Sequence, residues 1–186
     1  LQKLYKEIVN LTAGTLDTNV SLFRIKDRAE LTVQASVGIK RDNEKLPLKI
    51  GEGILGQVAE TGKPVVNCDI QKEPNYKYKE FAIRNNLHAM IAVPVVTRDK
   101  DRRETFLGIL TIYANRPCNF TQLDLQLMQS VAEKAGSSIT TAKVFEQLDA
   151  VAKIDEKFIQ RNESQVLRDI TTLAGKILAA DQVVLY

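Results

Sequence analysis

Apolar and polar positions fall into two regimes along the chain, one running to residue 114 and another from residue 120 onward. Leu4, Ile8, Leu11 and Leu16 recur at helical spacing and predict an opening helix that residues 17–19 stop. Strands are predicted at 20–25 and 31–37, the second alternating apolar and polar residues as a half-buried strand does. Residues 46–50 lead into Gly51-Glu52-Gly53, followed by a short helix over 54–60 that Thr61-Gly62 stops. A further apolar strand is expected at 64–70. Residues 71–88 are polar and irregular, with a short helix expected around 79–86. Two strongly apolar strands, 89–96 and 105–114, are joined as a hairpin by the charged turn 98–103.

The second regime starts with a helix signal. Thr121 is placed to cap, Asp124 to answer it as a capping box, and Phe120 to staple against Leu125. An apolar seam then runs through Leu123, Leu127, Val131, Ala135 and Ile139 and continues to Phe158, averaging 3.5 residues per step. Longer steps cluster early and shorter ones late, so the stripe drifts rather than holding a strict heptad. A helix over 121–160 would be roughly 60 Å long. So long an apolar face predicts pairing with a second copy in parallel, with Leu127, Val131 and Ile139 at the contact; folding back on its own core is the plainer reading.

An internal repeat bears on domain organisation. Ile8, Leu11 and Leu16 recur as Ile170, Leu173 and Leu178, and the apolar run ending at Phe23 recurs in the run ending at Tyr186. The expectation is a sensor-sized domain over 1–150, a long helix over 121–162 and the start of a second similar domain over 164–186. The polar residues 160–164 would mark the boundary, with Ser164 as an N-cap. Two unrelated amphipathic helices would give the same match by chance. The chain begins at Leu1 rather than Met, which suggests a piece of something longer.

Composition narrows the function classes. A net charge of +3, with Lys and Arg scattered among Asp and Glu, gives no basic stripe for nucleic acid. No apolar run approaches the roughly 20 residues that span a bilayer. Cys68 and Cys118 lie 50 positions apart without further partners, which argues against a zinc site and a disulfide framework and favours a reducing cytoplasm. With one histidine, His88, no nucleophile–base pairing suggests itself, and no His/Cys/Asp/Glu spacing suits a metal, so no enzyme is expected. Gly51-x-Gly53-x2-Gly56 matches a dinucleotide-binding fingerprint, but the following helix is too short and no strand–helix alternation surrounds it. A tight turn that brings a short helix close to a sheet explains these glycines better.

Taken in order, the elements resemble those of GAF domains. Gly51-Glu-Gly53-Ile-Leu-Gly56 through Val65 is similar to the family's loop and crossing helix. Asp69-x3-Glu73-Pro74-Asn75-Tyr76 looks like its D-x3-D/E-P-x-F/Y segment, and residues 90–95 and 107–113 resemble two of its central strands. Asn115 with Phe120-x3-Asp124 is similar to its closing signature, although Arg116 and Leu125 depart from the pattern seen in cyclic-nucleotide-binding members. The resemblance implies an α+β fold, a central antiparallel sheet flanked by helices, with the irregular segment roofing a small-molecule pocket.

Candidate pocket residues under that implied roof are Asp69, Tyr76, Phe81, Arg84, Asn85, His88 and Met90. Aromatic walls with a few convergent polar groups are what a small-molecule site requires. Tyr76 and Phe81 would stack on a planar ligand and Arg84 would meet an anionic group; alternatively the aromatics plug the space. The ligand's identity stays open, a cyclic nucleotide or another small molecule. Neither cysteine is followed by His, which speaks against a covalently attached bilin. The glycine loop carries Leu55, and 71–88 lack cysteine, unlike the family's free-methionine sulfoxide reductases. The implied role is a cytoplasmic signalling module whose ligand state passes along the long helix to a downstream output domain. The alternative is a dimerisation module with no ligand.

Overall fold

The computed structural model describes residues 1–178 apart from 17, 19, 40–45 and 99–102; in the closing helix, side chains are described to residue 149 and at Gln165 and Arg168. The chain divides into two units, Leu1–Thr141 and Ala142–Tyr186. The first holds α1 (Gln2–Thr15), β1 (Val20–Asp27), β2 (Glu30–Val37), β3 (Leu48–Lys49), α2 (Gly53–Thr61), β4 (Val65–Asn67), α3 (Lys79–Arg84), β5 (Ala89–Arg98), β6 (Glu104–Ala114) and the start of α4 (Gln122–Leu178). The described part of the second unit is the remainder of α4.

The six strands form one antiparallel sheet in the order β3-β2-β1-β6-β5-β4. Strands β1, β6 and β5 occupy its middle and are buried on both faces, which is why β5 reads as a continuous apolar run rather than an alternation. One face buries Leu22, Met90, Ala92, Ile109 and Tyr113 under α2, α3 and the irregular segment. The other buries Phe23, Ile91, Val93, Leu110 and Ile112 under α1 and α4. The α+β architecture with a flanked antiparallel sheet is the expected one.

Local signals explain the helix starts. Thr121 and Asp124 form the capping box: the Thr121 N–H donates to Asp124 Oδ2 at 2.7 Å and the Asp124 N–H to Thr121 Oγ1 at 3.3 Å. Phe120 and Leu125 both pack against the α1/α4 core, as a staple requires. Two details of the apolar pattern differ. Leu11 is 64% exposed; α1 buries Tyr5, Ile8, Val9, Thr12 and Ala13 instead.

The α4 seam also splits. Met128, Ala132, Ala135 and Ile139, in steps of four, three and four, face the sheet, while Leu123 and Leu127 are exposed. The reason is periodic: a helix lying on one sheet keeps the 3.6-residue stripe, and a seam in steps of four turns about 40° off that face at each step. Ile139 is fully buried in this domain's own core, which corrects its assignment to a contact between chains; Val131 is half-buried beside the same core.

Residues 160–164 do not end the helix either, because α4 runs unbroken to Leu178. Gln, Arg, Asn, Glu and Ser contain neither Gly nor Pro, so the helix tolerates them, and Ser164 lies inside it rather than capping a new one. The expected strand at 183–186 and the turn positions 17, 19 and 99–102 lie outside the described residues.

Gly136 sets how closely α4 lies on β5. A Cβ at that position would run into the Val96 carbonyl oxygen. Ala is favoured over Gly in a helix by about 1 kcal/mol, whereas forcing extra volume into a packed contact costs about 1–3 kcal/mol. Gly136→Ala is therefore expected to lower stability, read as a drop in the denaturant midpoint; a rise would show slack between α4 and β5.

Candidate functional site

The irregular segment between β4 and β5 forms a roof over one sheet face, and its ends are pinned by backbone pairing. The Ile70 N–H donates to the His88 carbonyl at 2.8 Å, and the His88 N–H donates to the Ala114 carbonyl at 2.8 Å. Around this seam the Asp69 carboxylate faces His88 Nδ1 at 3.1 Å and Lys72 Nζ at 3.3 Å, and accepts from the Gln71 N–H at 3.3 Å. Gln71 Nε2 donates to the Leu87 carbonyl at 2.9 Å. Burial works to raise the Asp69 pKa, but the hydrogen bonds from His88, Lys72 and the Gln71 N–H outweigh it and hold the carboxyl below its ordinary value.

Cys68 and Cys118 are joined in a disulfide at the same end of the roof. This corrects the expectation of two unpaired thiols, and with it the inference of a reducing compartment drawn from them. Separation along the chain misled: β4 and the segment after β6 flank the outer side of β5 and its partner, so 50 residues of sequence return to one spot. The Cys118 N–H also donates to the Cys68 carbonyl at 2.8 Å. Cys118 lies three residues before the Thr121 cap, so the disulfide ties the roof to the leader of α4.

The other end of the roof is latched to the glycine loop. Lys77 Nζ meets Glu52 Oε2 at 2.7 Å and donates to the Pro47 carbonyl at 3.1 Å, and the Tyr78 hydroxyl donates to that same carbonyl. The hydrogen bond from Lys77 lowers the Glu52 pKa, and its counterpart raises that of Lys77. Gly51 and Gly53 adopt positive φ values of 82° and 61°, and a Cβ on Gly53 would sit 2.7 Å from the Asn75 carbonyl oxygen. The glycines therefore serve the turn and the close docking of loop on roof, as expected from their spacing.

The candidate residues do not converge on one open cavity. Tyr76, Phe81 and Met90 are buried within the roof-side core. The Tyr76 and Tyr113 hydroxyls meet at 3.2 Å, and burial followed by the Tyr113 interaction pushes the Tyr76 pKa well above 10. Asp69 and His88 form the seam at the roof's end, and Asn85 Nδ2 donates to the Phe81 carbonyl at 2.9 Å. Arg84 lies outside, on a surface depression of about 500 Å³ shared with Lys77, Lys79, Glu80 and others. Between Leu48, Gly53, Ile54, Tyr76 and Tyr78 the interior leaves no room for a water molecule. The aromatics thus plug the space, one of the two alternatives their positions allowed. Asn115 lies exposed after β6.

One interior residue escaped the sequence reading. Arg24 is fully buried on the roof side of β1, and Nε, Nη1 and Nη2 all lack a hydrogen-bond partner. The signal was present: Val20, Leu22 and Arg24 alternate on one strand face, so a charge stands where the pattern calls for an apolar side chain.

The family model for the GAF domain matches residues 1–139. The chain belongs to the GAF domain family. A GAF domain from a phosphoenolpyruvate-protein phosphotransferase of Coxiella burnetii superposes with a TM-score of 0.67 at 23% identity, over 78% of this chain and 86% of that one. A type II free methionine-R-sulfoxide reductase from Thermoplasma acidophilum superposes at 0.59 and 18% identity, over 73% and 89%. These likenesses show the fold. The Nif-specific regulatory protein of Herbaspirillum seropedicae is 25% identical over 146 residues, 75% of this chain. This chain spans about a quarter of that relative, 26% of its length. Among the described residues no His/Cys/Asp/Glu group is arranged to hold a metal, and no helix is long and apolar enough to cross a membrane.

Two predictions follow from the pinned roof. Opening a loop of about 50 residues raises unfolded-chain entropy enough to cost about 4 kcal/mol, so Cys118→Ser or reduction with dithiothreitol should lower the urea midpoint of the GAF domain. Equal midpoints for oxidised and reduced protein would show that the disulfide constrains nothing. The depressed Asp69 pKa means that its contribution to stability is fully present above the ordinary value of about 3.9 and is lost as pH falls through the lower folded value. Asp69→Asn should flatten the stability–pH curve below about pH 4; an unaltered curve would remove Asp69 from the account.

Proposed function

We propose that this GAF domain is a regulatory sensor whose roof reports ligand state to α4, which relays it to an output domain in the same signalling chain. The observation that carries this reading is the Cys68–Cys118 link, which couples the roof directly to the leader of α4. Any displacement of the roof pulls on the segment that caps that helix. The Lys77–Glu52 latch at the opposite end gives the roof a point of release. Similarity to a Nif-specific regulatory protein supports a regulatory rather than an enzymatic role. The glycine loop holds Leu55, not cysteine, and Cys68 and Cys118 are occupied with each other, which also favours sensing over catalysis. Such a module works within a chain whose residues 164–186 begin a second similar domain, its first helix continuous with α4.

Two copies pair in parallel through the face of α4 that turns away from the sheet and through α1. Leu123, Leu127, Val144, Phe145 and Leu148 are exposed on α4, and Leu11 on α1. Exposed apolar residues in such number on helices point to a protein partner. The plugged interior favours a second reading, a dimerisation module without ligand, in which roof and helix are mechanically independent.

The two readings separate on one experiment. A spin label placed through a non-canonical amino acid at exposed Gln147 reports the distance between paired helices. Under the sensor reading, Lys77→Ala frees the roof and changes that distance; an unchanged distance supports the plain dimerisation module. Leu127→Glu should give monomers in sedimentation, and persistent dimers would remove α4 from the interface.

A further inference from the structure

The interior beneath the roof holds buried polar groups that no described side chain satisfies. Arg24 offers a fully buried guanidinium with no hydrogen-bonded partner on any of its three nitrogens. The Tyr78 ring stands 5.9 Å from the guanidinium carbon, at the outer edge of a cation–π contact. Thr111 lies on the same sheet face: Leu22 pairs with Thr111 and Arg24 with Ile109, so Arg24 and Thr111 are diagonal neighbours across β1 and β6. The Thr111 hydroxyl is buried and also unpartnered. Tyr113, two residues on, already accepts from the Tyr76 hydroxyl, which leaves its own proton to donate. Among the described residues no carboxylate pairs with Arg24.

A buried guanidinium without an anion is one of the most costly arrangements a core can hold. A packed fold keeps one when something arrives to neutralise it. The planar fork of an arginine matches a carboxylate or phosphate group in two parallel hydrogen bonds. We propose that Arg24 is the anchor for the oxyanion of a small ligand, a carboxylate or a phosphate group, held between the sheet and the roof with the Thr111 hydroxyl as a second donor. This rests on the sensor reading and gives that sensor its ligand class.

The route in runs through the roof. Tyr76, Lys77 and Tyr78 line both the closed interior and the surface depression outside. That depression also carries Lys79 and Arg84 against one acid, Glu80, so it draws anions toward the same point. Lifting the Lys77–Glu52 latch and the Tyr78 hydroxyl from the Pro47 carbonyl removes the ring that covers Arg24. Tyr78 is thus both the resting cover of the guanidinium and the door.

The test uses the purified chain with its disulfide intact and two variants, Arg24→Met and Arg24→Lys. Thermal unfolding is followed at constant ionic strength in sodium succinate, in sodium phosphate and in neutral succinamide. The expected result is that one oxyanion raises the melting temperature of the parent while succinamide does not. Whichever of the two acts identifies the group. Arg24→Met should abolish the shift and, without ligand, melt higher than the parent because the unpaired charge is gone. Arg24→Lys should keep the charge but weaken binding at least tenfold, since the fork is lost.

The proposal is overturned if neither oxyanion shifts the parent, if the shift survives in Arg24→Met, or if Arg24→Met melts lower without ligand. Native mass spectrometry separates this failure from failure of the sensor reading. A neutral small molecule retained equally by parent and Arg24→Met would leave the sensor and discard the oxyanion. No retained molecule together with no shift would discard both.

Discussion

The constraint on which the rest depends is that the three middle strands are apolar on both faces. β1, β6 and β5 cannot be covered by one layer, so α1 and α4 must close one side and the roof with α2 and α3 the other. Each layer buries side chains such as Ile91 or Met90, worth about 1.5–3 kcal/mol apiece. Neither cover can leave without exposing a full sheet face. The roof is nevertheless built from the least regular part of the chain, and it holds its place by a few discrete fastenings rather than by long secondary structure.

Those fastenings differ in kind from one end of the roof to the other. At one end lie a disulfide, backbone hydrogen bonds and the Asp69–His88 contact. At the other lies the exposed Lys77–Glu52 ion pair, of a type generally worth no more than about 1 kcal/mol. The roof is therefore held more firmly beside the leader of α4 than at the glycine loop. On the inner side of the latched end sits the one fully buried arginine among the described residues.

Much of this was legible in the sequence, because the deciding signals were local. The strands 20–25, 31–37 and 89–96, the short helix after Gly53 and the Thr121–Asp124 capping box follow from spacing and capping chemistry, and the structure has them all. What escaped depended on contacts far apart in sequence. Cys68 and Cys118 meet because of strand order, and Ile139 is drawn into the core because α4 lies on β5. Whether Tyr76 and Phe81 line a cavity or fill it was left open, since a polar segment does not reveal which way its aromatics are used. Arg24 was passed over because one charge in an apolar strand reads as a solvated edge until its burial is known.

The central claim is that roof and α4 leader form one mechanical unit. Native-state hydrogen exchange on the disulfide-bonded chain tests it without any ligand. The account predicts that the Ile70 and His88 amides and those of the first turns of α4, such as Leu125, exchange through a common opening, with the same free energy and the same denaturant dependence. Exchange of the roof amides through a low-energy opening of their own, with the start of α4 still fully protected, would contradict it.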